Sequence, residues 1–438
     1  QRLRVNYDDK NRVSSYVSEV GENQTETGYR YGESSGEKLD LLYGVSINGE
    51  EQRSYTYDVL NRLSGITLDK AGDYEVKYTY AAGQGRKSTE FDATKAQGRF
   101  VTGDFDGDGT PDLACMYDTG GDTNSIKVLL GDGTGKYEGD WETWDTNIWY
   151  DSDNVTNRFV AGDFNGDGKD DVAAMYDYGN DQMKIQVFLS SGSSFAGWQP
   201  WADVTGYDAA RATGRVVAGD FNGDGKDDIA ALYDHGSAMC SLHVFRTNST
   251  GTGVEGNTWD TWYACLIAGY HDANQVTGRM VSGDFNGDGK DDVAAMYDYG
   301  SNRAQIHYLL TNSTGTGFDS TVWHTSQMNT DYNPALVQWR MVSGDYDGDG
   351  KDDIATLYDY GFFDSTNSGQ IQVFRSLGTD FASMVWWYYG GKRAYDASKT
   401  AGLVSAEYNG DGISEIHALY DMGAGQANVY EFRKREDV

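Results

Sequence analysis

The sequence predicts an all-β fold built from repeated four-stranded units. Three observations support this: an Asp- and Gly-rich block recurs six times, apolar and polar residues alternate around each block, and turn residues are abundant. The 438 residues include 56 Gly and only 3 Pro, while 32 Tyr and 11 Trp supply flat side chains that pack well on pleated sheets. No stretch combines helical periodicity with helix caps, so we expect almost no helix.

The repeated block occupies residues 97–438, and in its second copy it reads Gly-Asp-Phe-Asn-Gly-Asp-Gly from Gly162. In that copy, residues 159–162, 172–176, 185–189 and 198–201 each alternate or form an apolar run as a strand does. Successive copies are 57 to 64 residues apart, a spacing that accommodates the four strands of one β-propeller blade. We therefore predict a propeller of six or seven four-stranded blades.

The sixth copy ends after residues 429–432, before a fourth strand. Propellers often join their two ends within one blade, which removes an open sheet edge. We therefore expect residues 74–81, just upstream of the first copy, to complete the last blade.

The loop of the second copy places oxygen-bearing side chains at positions 1, 3, 5 and 9: Asp163, Asn165, Asp167 and Asp171. The carbonyl of Lys169 is available at position 7. Such an oxygen-rich cage suits a hard cation with 6 to 8 ligands, which favours calcium over magnesium and excludes a zinc site of the Cys and His type. An EF-hand is a poor alternative because Ala174 stands where its bidentate Glu would be.

The six loops together predict about five or six bound Ca²⁺ ions, and the sixth loop is the least regular. An Asp-Gly-rich turn that only solubilises a hairpin would explain one copy, but six copies in register favour a metal site. The predicted ligands are Asp104, Asp106, Asp108, Thr110, Asp112, Asp163, Asn165, Asp167, Lys169, Asp171, Asp220, Asn222, Asp224, Lys226, Asp228, Asp284, Asn286, Asp288, Lys290, Asp292, Asp345, Asp347, Asp349, Lys351, Asp353, Glu407, Asn409, Asp411, Ile413 and Glu415.

These loops resemble the FG-GAP and VCBS repeats of integrin α-subunit propellers and of many secreted bacterial proteins. The resemblance covers about three quarters of the chain. It implies a propeller, commonly of seven blades, with a calcium loop between the first two strands of a blade. The bacterial type is the more similar one, because the proline of the integrin-style loop is missing here.

Residues 1–96 carry a different pattern, Tyr-Asp motifs that begin at Tyr7 and at Tyr55-Thr-Tyr-Asp. They resemble the YD repeats of RHS proteins, teneurins and bacterial toxin-complex shells, which implies strands of a larger spiralling sheet. The alternative is an ordinary hairpin with a Tyr-rich face. We therefore divide the chain into a YD-like segment, 1–96, and a propeller, 97–438.

Two further recurring sets invite a structural or a ligand-binding interpretation. An Arg precedes each of the first five loops and an Asp follows it; we predict that Arg99, Arg158, Arg215, Arg279 and Arg340 pair with Asp118, Asp177, Asp234, Asp298 and Asp359. A ligand-binding Arg ring is the alternative. Aromatic residues late in each blade could stack on sugar rings or pack between blades. The glycan-binding candidates are Trp144, Trp201, Trp262, Trp323 and Trp387.

Charge and composition bound the function. The net charge of −33 argues against nucleic acid and anionic membranes as partners, and no apolar run approaches the ~20 residues of a membrane helix. We expect Cys115 to be a small buried residue, and Cys240 and Cys265 could pair. We find no catalytic constellation and predict a non-enzyme. The leading prediction is a calcium-stabilised, secreted or cell-surface module that binds an extracellular ligand, carbohydrate or protein. The alternative is a non-catalytic cap or scaffold of a larger YD-repeat polypeptide.

Overall fold

The computed structural model describes residues 2–7, 13–20, 23–31, 42–47, 50–57, 63–68, 74–79 and 91–434, except 138, 266–270, 320–323, 327–331, 364–365, 389–394 and 424. The chain forms two compact units, residues 1–80 with 430–438, and residues 81–429. Both consist of antiparallel strands. The division at residues 96 and 97 into a YD-like segment and a propeller stays a prediction.

The first unit contains seven strands that pair in chain order. Tyr7 and Tyr57, from the two Tyr-Asp motifs, are the last residues of the first and fifth strands, while residues 8–12 and 58–62 lie outside the described residues. The strands are β1 (Arg2–Tyr7), β2 (Val13–Val20), β3 (Asn23–Tyr31), β4 (Leu42–Ile47), β5 (Glu50–Tyr57), β6 (Leu63–Leu68) and β7 (Tyr74–Thr79).

The second unit forms a six-bladed propeller of four-stranded antiparallel blades. Blade one contains β8 (Phe100–Gly103), β9 (Asp112–Asp118), β10 (Thr123–Leu129) and β11 (Glu142–Ile148). Blade two contains β12 (Phe159–Gly162), β13 (Asp171–Gly179), β14 (Gln182–Phe188) and β15 (Gln199–Thr205). Blade three contains β16 (Val216–Gly219), β17 (Asp228–Gly236), β18 (Met239–Phe245) and β19 (Asp260–Cys265).

Blade four contains β20 (Met280–Gly283), β21 (Asp292–Asp298), β22 (Ala304–Leu309) and β23 (His324–Thr325). Blade five contains β24 (Met341–Gly344), β25 (Asp353–Phe363), β26 (Thr366–Ser376) and β27 (Phe381–Tyr388). Blade six contains β28 (Thr400–Ala406), β29 (Glu415–Gly423) and β30 (Gln426–Lys434), and its sheet order continues from β30 to β7. The first strands of the six blades line the axis, each next to the following one, and β28 lies next to β8. The ring therefore closes with six blades, not seven.

The core of the propeller lies between neighbouring blades. Between blades one and two, Phe105 and Trp144 pack with Phe159, Phe188 and Phe195. The second strand of each blade is buried on both faces, which explains apolar runs such as residues 113–116. The aromatic residue after each loop's first acid is almost fully buried, so it anchors the loop to the core: Phe105, Phe164, Phe221, Phe285, Tyr346 and Tyr408.

A short 3-10 helix precedes the first strand of every blade, a feature that the sequence analysis missed. An Asp or Asn side chain caps it by accepting a hydrogen bond from the backbone N–H two residues later, as Asp151 does from Asp153 at 2.9 Å. The 3-10 helices are Ala93–Ala96, Ser152–Val155, Ala209–Ala212, Ala273–Val276, Pro334–Val337 and Ala397–Lys399, with one more at Glu255–Asn257. The described residues contain no α-helix, and none of their helices could span a membrane.

Candidate calcium-binding loops

Each Asp-rich loop joins the first two strands of its blade and is wound around its first acid. In loop two, Asp163 accepts hydrogen bonds from the backbone N–H groups of Gly166 at 2.7 Å, Asp167 at 3.1 Å and Gly168 at 2.8 Å. Gly166 and Gly168 have φ of 77° and 82°, a region that glycine adopts without strain. Loops one, three, four and five repeat these bonds around Asp104, Asp220, Asp284 and Asp345.

The acid at position 9 lies beneath the loop and is buried. In loop two, Asp171 uses one carboxylate oxygen to accept a hydrogen bond from the backbone N–H of Ser190 at 2.7 Å. Its other oxygen, Oδ2, and the side-chain oxygen of Asn165 are buried and have no hydrogen-bond donor. Because a buried oxygen without a partner costs about 1–3 kcal/mol, these two atoms fit the requirement of a bound cation.

The raised pKa values of the position-9 acids also favour a bound cation. Burial raises the pKa of Asp171 to about 8, and the nearby carboxylates of Asp167 and Asp163 add to the effect. The pKa of Asp228, Asp292 and Glu415 is likewise raised to about 8, and that of Asp112 and Asp353 to about 7. Without a cation these groups tend to hold a proton near neutral pH. A divalent ion would stabilise the ionised form instead.

The donor set is uniform, since the side chains that surround each loop centre supply oxygen. Three carboxylates converge to within 4.8 Å in loop one (Asp104, Asp106, Asp108) and in loop five (Asp345, Asp347, Asp353). In loops two to five the position-7 Lys pairs with the position-5 Asp, at 2.8 Å between Lys169 and Asp167. Such exposed pairs are worth at most about 1 kcal/mol, so they compete weakly with a divalent ion.

Loop six departs from the pattern as the sequence suggests. Glu407 replaces the first Asp and accepts from the backbone of Asn409, Gly410 and Asp411. The Asn409 side-chain amide donates to Glu415, which also accepts from the backbone of Tyr408 at 3.0 Å. Asn222 and Asn286 donate to Asp228 and Asp292 in the same way in loops three and four. Loop six is therefore the least regular candidate because Glu replaces Asp at positions 1 and 9.

The acid at position 8, which the sequence analysis did not single out, links neighbouring blades. Asp170 of loop two accepts from the backbone N–H of Asp104 at 2.7 Å, and its own N–H donates to the Asp104 carbonyl at 2.8 Å. The same two bonds join Asp227 to Asp163, Asp291 to Asp220, and Asp352 to Asp284. Position 8 therefore fixes the first acid of the preceding loop rather than serving as a ligand of its own.

This link explains why a glycine precedes the first acid. A Cβ on Gly103 would lie 2.6 Å from a carboxylate oxygen of Asp170, too close for any side chain. At the junction of blades six and one, position 8 is Pro111 and the glycine is replaced by Ala406. The glycine is thus required where the next blade presses an acid or serine against the backbone, and is dispensable where it does not.

The predicted Arg–Asp pairs interact electrostatically, since burial lowers the pKa of each Arg and the charge of the predicted Asp opposes this, but most of them are not direct ion pairs. Among the described residues only Arg340 and Asp359 reach ion-pair distance, at 3.9 Å. Arg158 instead donates to the carbonyls of Met175 at 3.1 Å and Asn154 at 2.6 Å, and to the Thr213 hydroxyl of blade three. Arg99 and Arg215 also bond a Thr of the next blade, and Arg279 keeps the two carbonyl bonds. The fixed fork of the guanidinium suits several carbonyl groups at once, so these Arg side chains join 3-10 helices and blades.

The Trp candidates that the structure describes are packed against phenylalanines. Trp144 and Trp201 are 6% and 4% exposed, with ring centroids 5.5 Å from Phe195 and 6.3 Å from Phe164. Half-buried Trp262 lies 5.5 Å from Phe318. This arrangement favours packing over sugar stacking for these three. Trp323 and the side chain of Trp387 lie outside the described residues.

The three cysteines are buried free thiols. Cys115 lies in the interface of blades six and one, and burial raises its pKa to about 12. Cys240 and Cys265 stand directly opposite each other on β18 and β19, but they are not joined.

Comparison with known proteins agrees with the repeat. A family model of the FG-GAP-like repeat matches residues 104–174, 163–231 and 284–356. No curated protein shows significant similarity to the sequence. Similar solved structures include the Tc holotoxin pore of Photorhabdus luminescens, at 15% identity and a TM-score of 0.44 over 96% of this chain. This chain spans only 18% of that protein's chain.

Two further similar structures are mutants of AofleA and of the Aleuria aurantia lectin. AofleA from Arthrobotrys oligospora is 10% identical over 82% of this chain and 95% of its own, with a TM-score of 0.46. The Aleuria aurantia lectin in complex with alpha-methyl-L-fucoside is 10% identical over 78% and 93%, with a TM-score of 0.45. The chain therefore carries three recognised FG-GAP-like repeats on a six-bladed β-propeller.

Proposed function

We propose that this protein is a calcium-stabilised, non-catalytic binding module that recognises an extracellular ligand, carbohydrate first among the candidates. The observation that carries the calcium part is the pair of buried, unpartnered oxygens in loop two, Asn165 Oδ1 and Asp171 Oδ2. Loops one, three, four and five repeat the winding around the first acid, and their side chains at positions 1, 3, 5 and 9 are Asp or Asn. In the proposal, the side chains at positions 1, 3, 5 and 9 and the position-7 carbonyl would hold the ion.

Calcium binding would make the stability of the fold depend on the calcium concentration around the protein. Every loop fixes the start of a second strand, and in loops two to six the position-8 residue also bonds the preceding loop, so a bound ion in these loops would stabilise two blades at once. Sites of this kind in extracellular modules bind calcium with Kd of about 10⁻⁴–10⁻³ M, which suits secreted or cell-surface conditions.

The ligand class follows from charge and shape. A net charge of −33, offset by at most 12 when six ions bind, leaves an acidic surface that repels anionic partners. A closed ring whose blades are cross-linked by buried Arg and Asp side chains is a rigid scaffold, and rigid scaffolds lose little entropy on binding. A neutral, hydroxyl-rich glycan fits both properties, and so does a protein ligand with a basic surface.

The calcium proposal is tested by a calcium titration and a thermal melt. We expect five or six ions per chain and a large fall of the Tm in excess chelator, since each site saturated at 100 times its Kd contributes about 2.7 kcal/mol. Asp171→Asn should remove one ion, whereas Asp203→Asn, an exposed acid paired with Lys184 at 2.9 Å outside the loops, should remove none. An unchanged melt in chelator would contradict the proposal.

The ligand proposal is tested on a glycan array, once with calcium and once with chelator. Calcium-dependent, selective binding would support carbohydrate recognition. The alternative function is a structural cap or spacer of a larger YD-repeat polypeptide, and the antiparallel seven-stranded array β1–β7 favours it. A blank array together with a calcium-dependent melt would support that alternative.

A further inference from the structure

A cavity of about 630 Å³ lies on the axis of the propeller. It opens at the ends of the first strands that are opposite the calcium loops, because its lining includes the residues that precede and begin β8, β12, β16, β20, β24 and β28. Its volume falls within the roughly 300–1,000 Å³ of typical ligand pockets. All its lining residues belong to the described part of the propeller.

A ring of six residues, one from each blade, surrounds the cavity at this level: Gly98, Asn157, Gly214, Gly278, Trp339 and Ala401. Backbone hydrogen bonds of 2.8–2.9 Å connect the first five in order. Blade five alone places an aromatic side chain in the ring. Trp339 has a φ of 64°, a conformation that a bulky residue rarely adopts, and strain of this kind is concentrated at functional sites.

The indole of Trp339 lies flat on the backbone of the neighbouring blades. An ideal Cβ on Gly278 would be 2.7, 2.8 and 3.0 Å from the indole atoms Cδ2, Cε3 and Cε2, so the ring covers that glycine with its face. The far edge of the indole reaches Gly214, whose Cβ would lie 2.7 Å from Cζ3. The residue nevertheless remains 44% exposed. One face of the indole is therefore supported by glycines, and the other faces the cavity.

The walls provide hydrogen-bonding groups rather than free positive charge. Asn157 and Gln338 contribute amides, and Thr94, Ser398 and Thr400 contribute hydroxyl oxygens. Each of these hydroxyls already has a hydrogen-bond partner, in Asp92, Asp396 and Tyr395 respectively. The two lining guanidiniums are committed: Arg99 donates to the carbonyls of Met116 and Lys95, and Arg340 to those of Leu357 and Leu336. An anionic ligand would find no free cation among these residues.

The carboxylates at the rim do not favour a cationic ligand strongly either. Asp153 lies 3.7 Å from Arg99, which neutralises part of its charge, and Asp118 accepts a hydrogen bond from the backbone of Gly120 at 2.6 Å. A flat aromatic face combined with amides, hydroxyls and carboxylates matches a ring with an apolar face and several hydroxyl groups.

We propose that the axial cavity binds one pyranose ring of a neutral carbohydrate, stacked on the free face of Trp339. This inference rests on the carbohydrate recognition proposed above and adds the position of the site and its number. Six blades could offer several equivalent sites between them, whereas the axis offers one. The expected stoichiometry is therefore one ligand per chain.

The test uses the full, calcium-loaded chain and the methyl glycosides of common neutral hexoses, deoxyhexoses and N-acetylhexosamines. Binding is measured by isothermal titration calorimetry and by tryptophan fluorescence. Trp339→Gly restores the residue that three other blades carry in the ring, and Trp339→Asn restores that of blade two. Either variant should lower the affinity at least about tenfold. Trp149→Gly is the matched control, since Trp149 has the same φ of 64° and is 87% exposed but does not line the cavity.

Retained affinity in both folded Trp339 variants, or more than one site per chain, would overturn the axial site while leaving carbohydrate recognition intact. Binding of choline in place of every glycoside would also overturn it and would indicate a quaternary ammonium ligand. If the wild-type protein binds no sugar in titration or on the array, the proposed function fails together with this inference.

Discussion

The two ends of the innermost strands differ in how strictly they repeat. At the loop end, five of six blades keep the same glycine, the same first acid and a buried aromatic residue. At the opposite end, the ring positions hold Gly, Asn, Gly, Gly, Trp and Ala. The residues that repeat at the loop end therefore have a structural role. Each loop contacts the next blade in the same way and so needs the same residues, whereas the ring surrounds one shared axis, where a single different residue acts for the whole molecule.

The largest expected effect on stability comes from a substitution at the loop end. Gly103→Ala would push a Cβ to 2.6 Å from a carboxylate oxygen of Asp170 and separate it from the backbone of Asp104. We expect a loss of about 2–4 kcal/mol in the free energy of unfolding, from overpacking and a broken charge-assisted hydrogen bond. Urea unfolding in calcium measures it.

The matched control for that variant is Ala406→Gly, at the junction where Pro111 replaces the position-8 acid. It should change the free energy of unfolding by no more than about 1 kcal/mol, the usual cost of a glycine in a strand. Equal effects of the two substitutions would show that the glycine is not required by the next blade's acid.

The pH dependence of the stability of the calcium-free protein also tests the loop end, with an expected effect of intermediate size. The position-9 acids have folded-state pKa values of about 7 or 8, above those of an unfolded chain, so the folded state binds more protons in this range. Stability in chelator should therefore fall as the pH rises from 6.5 to 8, by at most about 1.4 kcal/mol per pH unit for each loop.

With saturating calcium the part of this slope that comes from the position-9 acids should disappear, because the ion holds those carboxylates ionised. A smaller slope should remain from the position-8 acid Asp291, since burial raises its pKa to about 7. The window avoids the buried histidines: burial lowers the pKa of His271 to about 4 and that of His307 to about 3, so they destabilise the fold only below about pH 6.5. Thermal melts at several pH values, with calcium and with chelator, provide the measurement. Parallel pH profiles in the two conditions would contradict a cation at position 9.

The sequence predicted the features that repeat in register. The six Asp-rich loops, the four strands of each blade and the buried Cys115 follow from local pattern and from comparison of one copy with the next. The sequence left the count at six or seven blades, and the structure shows six, because each block forms one blade. Period-two alternation and turn chemistry decide these features within a few residues of chain.

Features that depend on the neighbouring blade could not be predicted from one repeat. Asp170 looks like one more loop acid, and only the structure shows that it reaches the backbone of a residue 66 positions earlier. Arg99 and Asp118 occupy positions that suggest an ion pair, yet carbonyl groups of the 3-10 helix and the next blade take the guanidinium. Trp339 differs from the residues at the other ring positions, but the sequence of one repeat does not show that its indole lies on glycines of two other blades.

The smallest expected effect concerns the stability of the ring end. Trp339→Gly relieves a left-handed conformation, which costs a non-glycine residue about 1–3 kcal/mol, and removes the contact of the indole with Gly214 and Gly278. Since the two terms oppose each other, the free energy of unfolding should change by less than about 1 kcal/mol. Trp149→Gly, with the same φ, reports the strain term with little lost packing. A loss above about 2 kcal/mol in the free energy of unfolding on Trp339→Gly, but not on Trp149→Gly, would show that the indole mainly stabilises the fold. The ring end would then have a structural role like that of the loop end.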